Sequence, residues 1–141
     1  MASFVFKPAQ DLSRAAKLTL ENMSSYYQRF DVNWDEAQVI ESTKALDNYD
    51  LFSESEFIGI MRVEYTDSSC WLRDLQVRPE CQNKGYGALA IEEVVRMARQ
   101  RDRHQVELKV FKCSPAHHLY RRVGFTVGSE DERFYYMVRS F

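Results

Sequence analysis

Gln82-Asn83-Lys84-Gly85-Tyr86-Gly87-Ala88 follows a β-patterned run, Trp71 to Val77, and opens a long amphipathic helix, so the reading of that junction decides the fold. Pro79 keeps the residue before it out of helix, and two glycines one residue apart let main-chain N–H groups converge at a helix N-terminus. Past the turn, Ile91, Val94, Val95 and Ala98 recur at helical spacing and form one apolar face, while Glu92, Glu93, Arg96 and Arg99 fall largely elsewhere. Orphan N–H groups and the positive end of the helix dipole therefore point out of Gly85 to Ala88, an arrangement that suits a diphosphate. Two other phosphate-binding glycine loops do not fit. The chain has no Gly-x-x-x-x-Gly-Lys-[Ser/Thr], and a dinucleotide fingerprint needs a third glycine and an acidic residue about twenty positions on.

The rest of the chain is consistent with one compact domain spanning residues 1–141. Hydrophobic residues at 45% and charged residues at 28% exclude disorder, collagen and a disulfide scaffold. A formal charge of -2 and a pI near 5.9 do not point to nucleic acid or an anionic membrane as partner. Cys70, Cys81 and Cys113 are odd in number and lack Cys-x-x-Cys spacing, which argues against a zinc site and favours reduced thiols in a cytoplasm. Met1-Ala2-Ser3-Phe4-Val5-Phe6 has no basic segment followed by a long apolar stretch, and no run approaches a membrane span. The expectation is a cytoplasmic protein that binds no metal.

Along the chain the pattern reads β-α-α-β-β-β-α-β-α-β-β, an α+β (α/β) arrangement. Phe4 to Phe6 reads as a strand ended by Pro8. Asp11 caps a helix with Leu12, Ala16, Leu20, Met23 and Tyr27 on one face, and Asn33 with Glu36 makes a capping-box-like start for a second helix through Leu46. Tyr49 to Ser53, Glu56 to Tyr65 and Cys70 to Val77 form an expected antiparallel meander. The helix from Gly85 ends near Arg101 to Arg103. Val106 to Val110 is a strand, Pro115 to Val123 a short helix closed by Gly124, and strands around Phe125 to Val127 and Phe134 to Val138 finish the chain.

Gln82-x-x-Gly85-x-Gly87, after Val77-x-Pro79, resembles the acyl-coenzyme A signature of the GNAT acetyltransferase superfamily, Gln/Arg-x-x-Gly-x-Gly/Ala. Downstream, Leu108 to Phe125, with Pro115-Ala116 and Leu119-Tyr120-x-x-x-Gly124-Phe125, is similar to the family's second signature, and order and spacing agree as well. The resemblance is sharp from Leu72 to Phe125. It implies a mixed central sheet of six to seven strands with helices on both faces, and an N-acetyltransferase that moves an acetyl group from acetyl-coenzyme A to a primary amine by direct attack in a ternary complex. A non-catalytic acyl-coenzyme A binding or sensing module is the alternative, and the presence of Tyr120 favours the enzyme. Monomer and homodimer are both compatible.

The resemblance also assigns roles. The strand ending at Val77 would splay from the one ending near Val110, and the pantetheine arm would pair with the main chain of Leu75, Gln76 and Val77. Gln82, Asn83, Lys84, Gly85, Tyr86, Gly87 and Ala88 would surround the pyrophosphate, mainly through backbone donors. Tyr120 would protonate the departing thiolate, since a phenol pKa near 10 keeps its proton at neutral pH. A lysine-like amine is only about 0.1% neutral at pH 7, so a carboxylate acting through water is needed, and Asp74 and Glu64 are the two choices. Trp71 stands where the family often has a glutamate. The family asparagine before the short helix falls on Ser114 or on Cys113, according to spacing. Tyr26, Tyr27, Phe30, Trp34, Glu130, Asp131 and Glu132 would line the acceptor's approach and hint at a cationic or aromatic amine.

Overall fold

The computed structural model describes residues 4–141; the expectation for Met1 to Ser3 lies outside the described residues. The elements are β1 (Phe4–Pro8), α1 (Leu12–Arg29), α2 (Glu36–Thr43), β2 (Asp47–Ser53), β3 (Glu56–Tyr65), β4 (Cys70–Val77), α3 (Tyr86–Gln100), β5 (Gln105–Phe111), α4 (Ala116–Arg122), β6 (Thr126–Glu130) and β7 (Phe134–Ser140). Seven strands form one mixed sheet in the order β1-β2-β3-β4-β5-β7-β6. The element order and the α+β class agree with the sequence reading. By proximity the chain divides into two compact units, one made of residues up to Arg62 with Asp74–Lys84, the other of Val63–Arg73 with Gly85–Phe141.

In the first unit, β1 pairs antiparallel with β2 from Phe4↔Ser53 to Pro8↔Tyr49. Pro8 lies inside β1 rather than beyond it, a position tolerated because β1 is at the sheet edge and needs no inward N–H there. Glu54 and Ser55 both take positive φ, 54° and 68°, the two-residue turn that matches strand twist between β2 and β3. Ala15, Leu18 and Ile60 pack together with Phe57 against them.

Two helix expectations shift. The buried residues of α1 are Ala15, Ala16, Leu18 and Thr19; of the expected face only Ala16 is among them, and Leu12, Leu20, Met23 and Tyr27 are half-buried. Alanines permit close approach, and Thr19 goes under because its hydroxyl donates to Ala15 O at 2.9 Å and accepts from Arg62 at 3.0 Å. Asp11 caps α1 as expected, accepting from the Arg14 N–H. The capping box of α2 sits two residues later than Asn33 and Glu36. Asp35 accepts from the Gln38 N–H and the Gln38 side chain accepts from the Asp35 N–H, each at 2.8 Å. Both pairs fit the pattern of Asn or Asp at the N-cap with Glu or Gln three residues on, and aspartate with glutamine at the later register forms the box.

In the second unit β4 pairs parallel with β5 at Cys70↔Val106 and Trp71↔Glu107, with α3 as the crossover. β5 pairs antiparallel with β7 along its whole length, and β6 with β7 through a bulge at Gly128. Ile91, Val94, Val95 and Ala98 of α3 are buried as their spacing requires, and α3 packs on β5. No described helix is long and apolar enough to cross a membrane.

Candidate active site

The turn between β4 and α3 is built around two left-handed residues. Asn83 has φ 61° and Gly85 φ 87°, and Gly85 is the N-cap of α3. The first i to i-4 bond of the helix runs from Leu89 N–H to Gly85 O at 3.2 Å, so the N–H groups of Tyr86, Gly87 and Ala88 precede the intrahelical ladder. Successive main-chain donors in such a turn make a concave, positive site for anions. A Cβ built on Gly85 would meet nothing within 4 Å, whereas one on Gly87 would lie 2.8 Å from Leu119 Cδ2. Gly87 thus lets the first turn of α3 rest on α4, and the two sequence signatures touch through this pair. Lys84 is exposed beside the turn.

The second signature has a local explanation in how α4 stops. Gly124 is left-handed at φ 100°; its N–H donates to Arg121 O at 3.2 Å and the Phe125 N–H donates to Tyr120 O at 2.9 Å. Those two bonds are a Schellman motif, with its usual apolar contact made by the rings of Tyr120 and Phe125 at 5.9 Å. Tyr-x-x-x-Gly-Phe is therefore the spacing of a helix stop, and it fixes the tyrosine ring by its edge-on neighbour. At the other end Ser114 Oγ accepts from the Ala116 N–H at 3.2 Å, with Pro115 as N-cap. Cys113 is exposed.

The end of β4 carries a polar network that the sequence reading passed over. Arg62, 1% exposed within the apolar run of β3, donates to Asn48 Oδ1 at 3.1 Å, Thr19 Oγ1 at 3.0 Å and Asp74 Oδ2 at 2.7 Å. The other Asp74 oxygen accepts from Gln76 Nε2 at 2.7 Å, and Asn22 Nδ2 donates both to Gln76 Oε1 and to Val77 O. Gln82 Nε2 also donates to Val77 O at 3.0 Å, so the first residue of the signature is tied back to the strand. Arg78 is engaged by Glu56, Glu80 and Phe57 O. A lone arginine inside Ile58-Gly-Ile-Met-Arg-Val was the available sign, because a buried guanidinium demands a carboxylate partner.

The Acetyltransferase (GNAT) family model matches residues 13–125, which include both signatures and the network. The chain belongs to this family. Solved structures agree in fold. A PaiA N-acetyltransferase of Thermoplasma acidophilum in complex with coenzyme A is 15% identical, with TM-score 0.73 and 99% of each chain covered. A GNAT family acetyltransferase of Elizabethkingia anophelis with acetyl-coenzyme A bound is 12% identical, with TM-score 0.68, covering 99% of this chain and 98% of that one. An acetyltransferase of Thermus thermophilus is 17% identical, with TM-score 0.75, covering 99% and 97%. No sequence among the curated proteins matches the chain.

In this GNAT chain both carboxylates named as bases have other duties. Glu64 accepts from Arg73 Nη2 at 2.7 Å on the surface, and that arginine also lies over Trp71. Asp74 balances the buried charge of Arg62. We expect Asp74→Asn to lower stability by about 2 kcal/mol, the scale of a hydrogen bond to a charged group, and Glu64→Gln to lie within about 0.5 kcal/mol of wild type. Urea titrations of the two variants measure this.

Of the acidic residues assigned to the acceptor's approach, Asp131 is spent on the β6–β7 turn. It accepts from the N–H groups of Arg133 and Phe134 and from the Tyr136 hydroxyl, and these three bonds, that of Tyr136 foremost, hold its carboxyl below the usual range. Glu130 pairs with Lys112 at 2.9 Å. Tyr27 stacks on Trp34 at 6.3 Å, and its hydroxyl pKa is raised by burial first and by the Asp74 charge second. His117 packs edge-on against Tyr135, and its pKa is lowered by burial and by neighbouring His118 and Arg121. Among the described residues no group of His, Cys, Asp and Glu could hold a metal.

Proposed function

We propose that residues 1–141 form one cytoplasmic catalytic domain, an N-acetyltransferase that passes the acetyl group of acetyl-coenzyme A to a primary amine. The observation that carries this reading is the turn at Asn83 and Gly85, where two left-handed residues open a helix whose first main-chain N–H groups precede the intrahelical ladder. Three or four charge-assisted bonds of about 1.5 to 3 kcal/mol each are enough for micromolar anchoring of a pyrophosphate after the entropy of association. The pantetheine arm would follow the main chain of Leu75 and Gln76 as far as the Val77 N–H, and Ser114 would take the family asparagine's place.

Acetyl-coenzyme A supplies the acyl group already activated as a thioester. The amine nitrogen forms a bond to the acyl carbon, the carbon–sulfur bond breaks, Tyr120 gives its hydroxyl proton to the sulfur, and the proton lost by the amine passes through water to Asp74 or Glu64. The Val77 N–H faces the charge that gathers on the acyl oxygen. The cost of neutralising a lysine-like amine is about 4 kcal/mol at pH 7, and this is what a carboxylate and water must offset.

Calorimetry with acetyl-coenzyme A tests the cradle. Gly87→Val should abolish measurable binding. Because the new side chain also meets Leu119, Gly87→Val with Leu119→Ala is the decisive variant. It relieves the contact with α4 and should still fail to bind, whereas wild-type affinity in the double variant would remove the pyrophosphate from this turn. A mass-spectrometric acetylation screen over polyamines, lysine peptides, peptide N-termini and aminoglycosides then identifies the acceptor. Tight binding without transfer to any amine would favour a sensing module.

A further inference from the structure

We infer that Asn22 is a positioning residue that sets the end of β4 through a one-way chain of hydrogen bonds from the buried Arg62–Asp74 pair. The inference rests on the acetyltransferase reading above, and its geometry is contained within the first unit.

The direction of the chain follows from what each group can donate. The Asp74 carboxylate, bonded to Arg62 at 2.7 Å, only accepts, so Gln76 must turn its NH₂ toward it. That leaves the Gln76 carbonyl facing Asn22, which must answer with its own NH₂ at 3.1 Å. The same NH₂ reaches Val77 O at 3.0 Å, so both protons of Asn22 are used. No amide in this chain can flip without setting two acceptors against each other. Arg62 anchors it, since a guanidinium 1% exposed and bonded to Thr19, Asn48 and Asp74 has nowhere else to go.

The peptide that joins Val77 to Arg78 is satisfied inside the protein. Its carbonyl accepts from Asn22 and Gln82, and its N–H donates to Ile58 O at 2.8 Å. It is therefore a fixed strut and not a docking group for the pantetheine arm. The N–H proposed to meet the acyl oxygen is that of Val77, one peptide earlier. Along the main chain it falls between Gln76, whose side chain Asn22 holds, and the Val77 carbonyl, which Asn22 also holds. Asn22 thus acts on the reaction without touching the reactants, and its contribution is the aim of one main-chain donor.

Asn22→Leu keeps the branching and number of side-chain heavy atoms and removes both donors. It should lower kcat about tenfold to a hundredfold while KM and the calorimetric Kd for acetyl-coenzyme A stay within about twofold. Difference infrared spectra with acetyl-coenzyme A labelled at the acyl carbonyl give a readout independent of the acceptor. The bound carbonyl should absorb at lower frequency than in water for wild type, and Asn22→Leu should lose that shift. Gln76→Leu should do the same, and the double variant should be no worse than either, because one chain is broken once. If Asn22→Leu fails to fold, Asn22→Ala gives the same comparison. A wild-type shift retained in the variant that binds acetyl-coenzyme A, or fully additive losses, would overturn the inference. Wild type that binds no acetyl-coenzyme A would instead overturn the acetyltransferase reading.

Discussion

Gly59→Ala should be the most damaging of the glycine-to-alanine changes in this chain. A Cβ at Gly59 would stand 2.3 Å from Gln76 O, 3.1 Å from Val77 Cα and 3.3 Å from Gln76 C, all of them main-chain atoms. A side chain could swing aside, but here the β4 backbone itself must move. That backbone is held by the Arg78 N–H bond to Ile58 O and by Asn22 and Gln82 on Val77 O. Overpacking in a core typically costs about 1 to 3 kcal/mol, and a contact with a pinned backbone belongs at or above the upper end. For a chain of this size that is roughly a 10 °C fall in Tm, so Gly59→Ala should melt far below wild type or accumulate as insoluble protein. Differential scanning fluorimetry decides it; a Tm within about 2 °C of wild type would mean that β4 can yield without cost.

Gly59 shows where the sequence stopped being legible. Period and punctuation locate elements, and β3 and β4 came out at Glu56 to Tyr65 and Cys70 to Val77, as the structure has them. Alternation cannot say which strand lies over which glycine, because that depends on register between segments far apart in sequence. The same holds for Arg62, visible as a charge in an apolar strand, whose partners Thr19, Asn48 and Asp74 come from three other segments. α2 was displaced by two residues because Asn33 with Glu36 and Asp35 with Gln38 compete as caps, and only packing chooses. The conformation of the turn from Gln82 to Ala88 is legible for the opposite reason. It is set by neighbours in the chain, and glycine at a left-handed position announces itself. What composition could not show was that Gly87 also faces Leu119, or that Asp131 is consumed by its own hairpin.

Tyr120→Phe separates the two uses of one residue. The Schellman stop at Gly124 needs only the backbone of Tyr120 and a ring against Phe125, and phenylalanine supplies both. Coenzyme affinity should therefore stay near wild type, since the backbone bonds and the ring contact that stop α4 are kept. The hydroxyl is proposed to act only as negative charge develops on sulfur, so its removal should appear in kcat and kcat/KM equally, with KM unmoved. Loss of one general acid costs on the order of a hundredfold to ten-thousandfold when departure of the thiolate limits the rate. A coenzyme analogue whose thiol is more acidic should recover part of that loss, because its thiolate leaves without a proton. Turnover in Tyr120→Phe equal to wild type across the pH range would reduce the tyrosine to the apolar partner of Phe125, and the spacing Tyr-x-x-x-Gly-Phe would then report how a helix ends and nothing about how a thioester is opened.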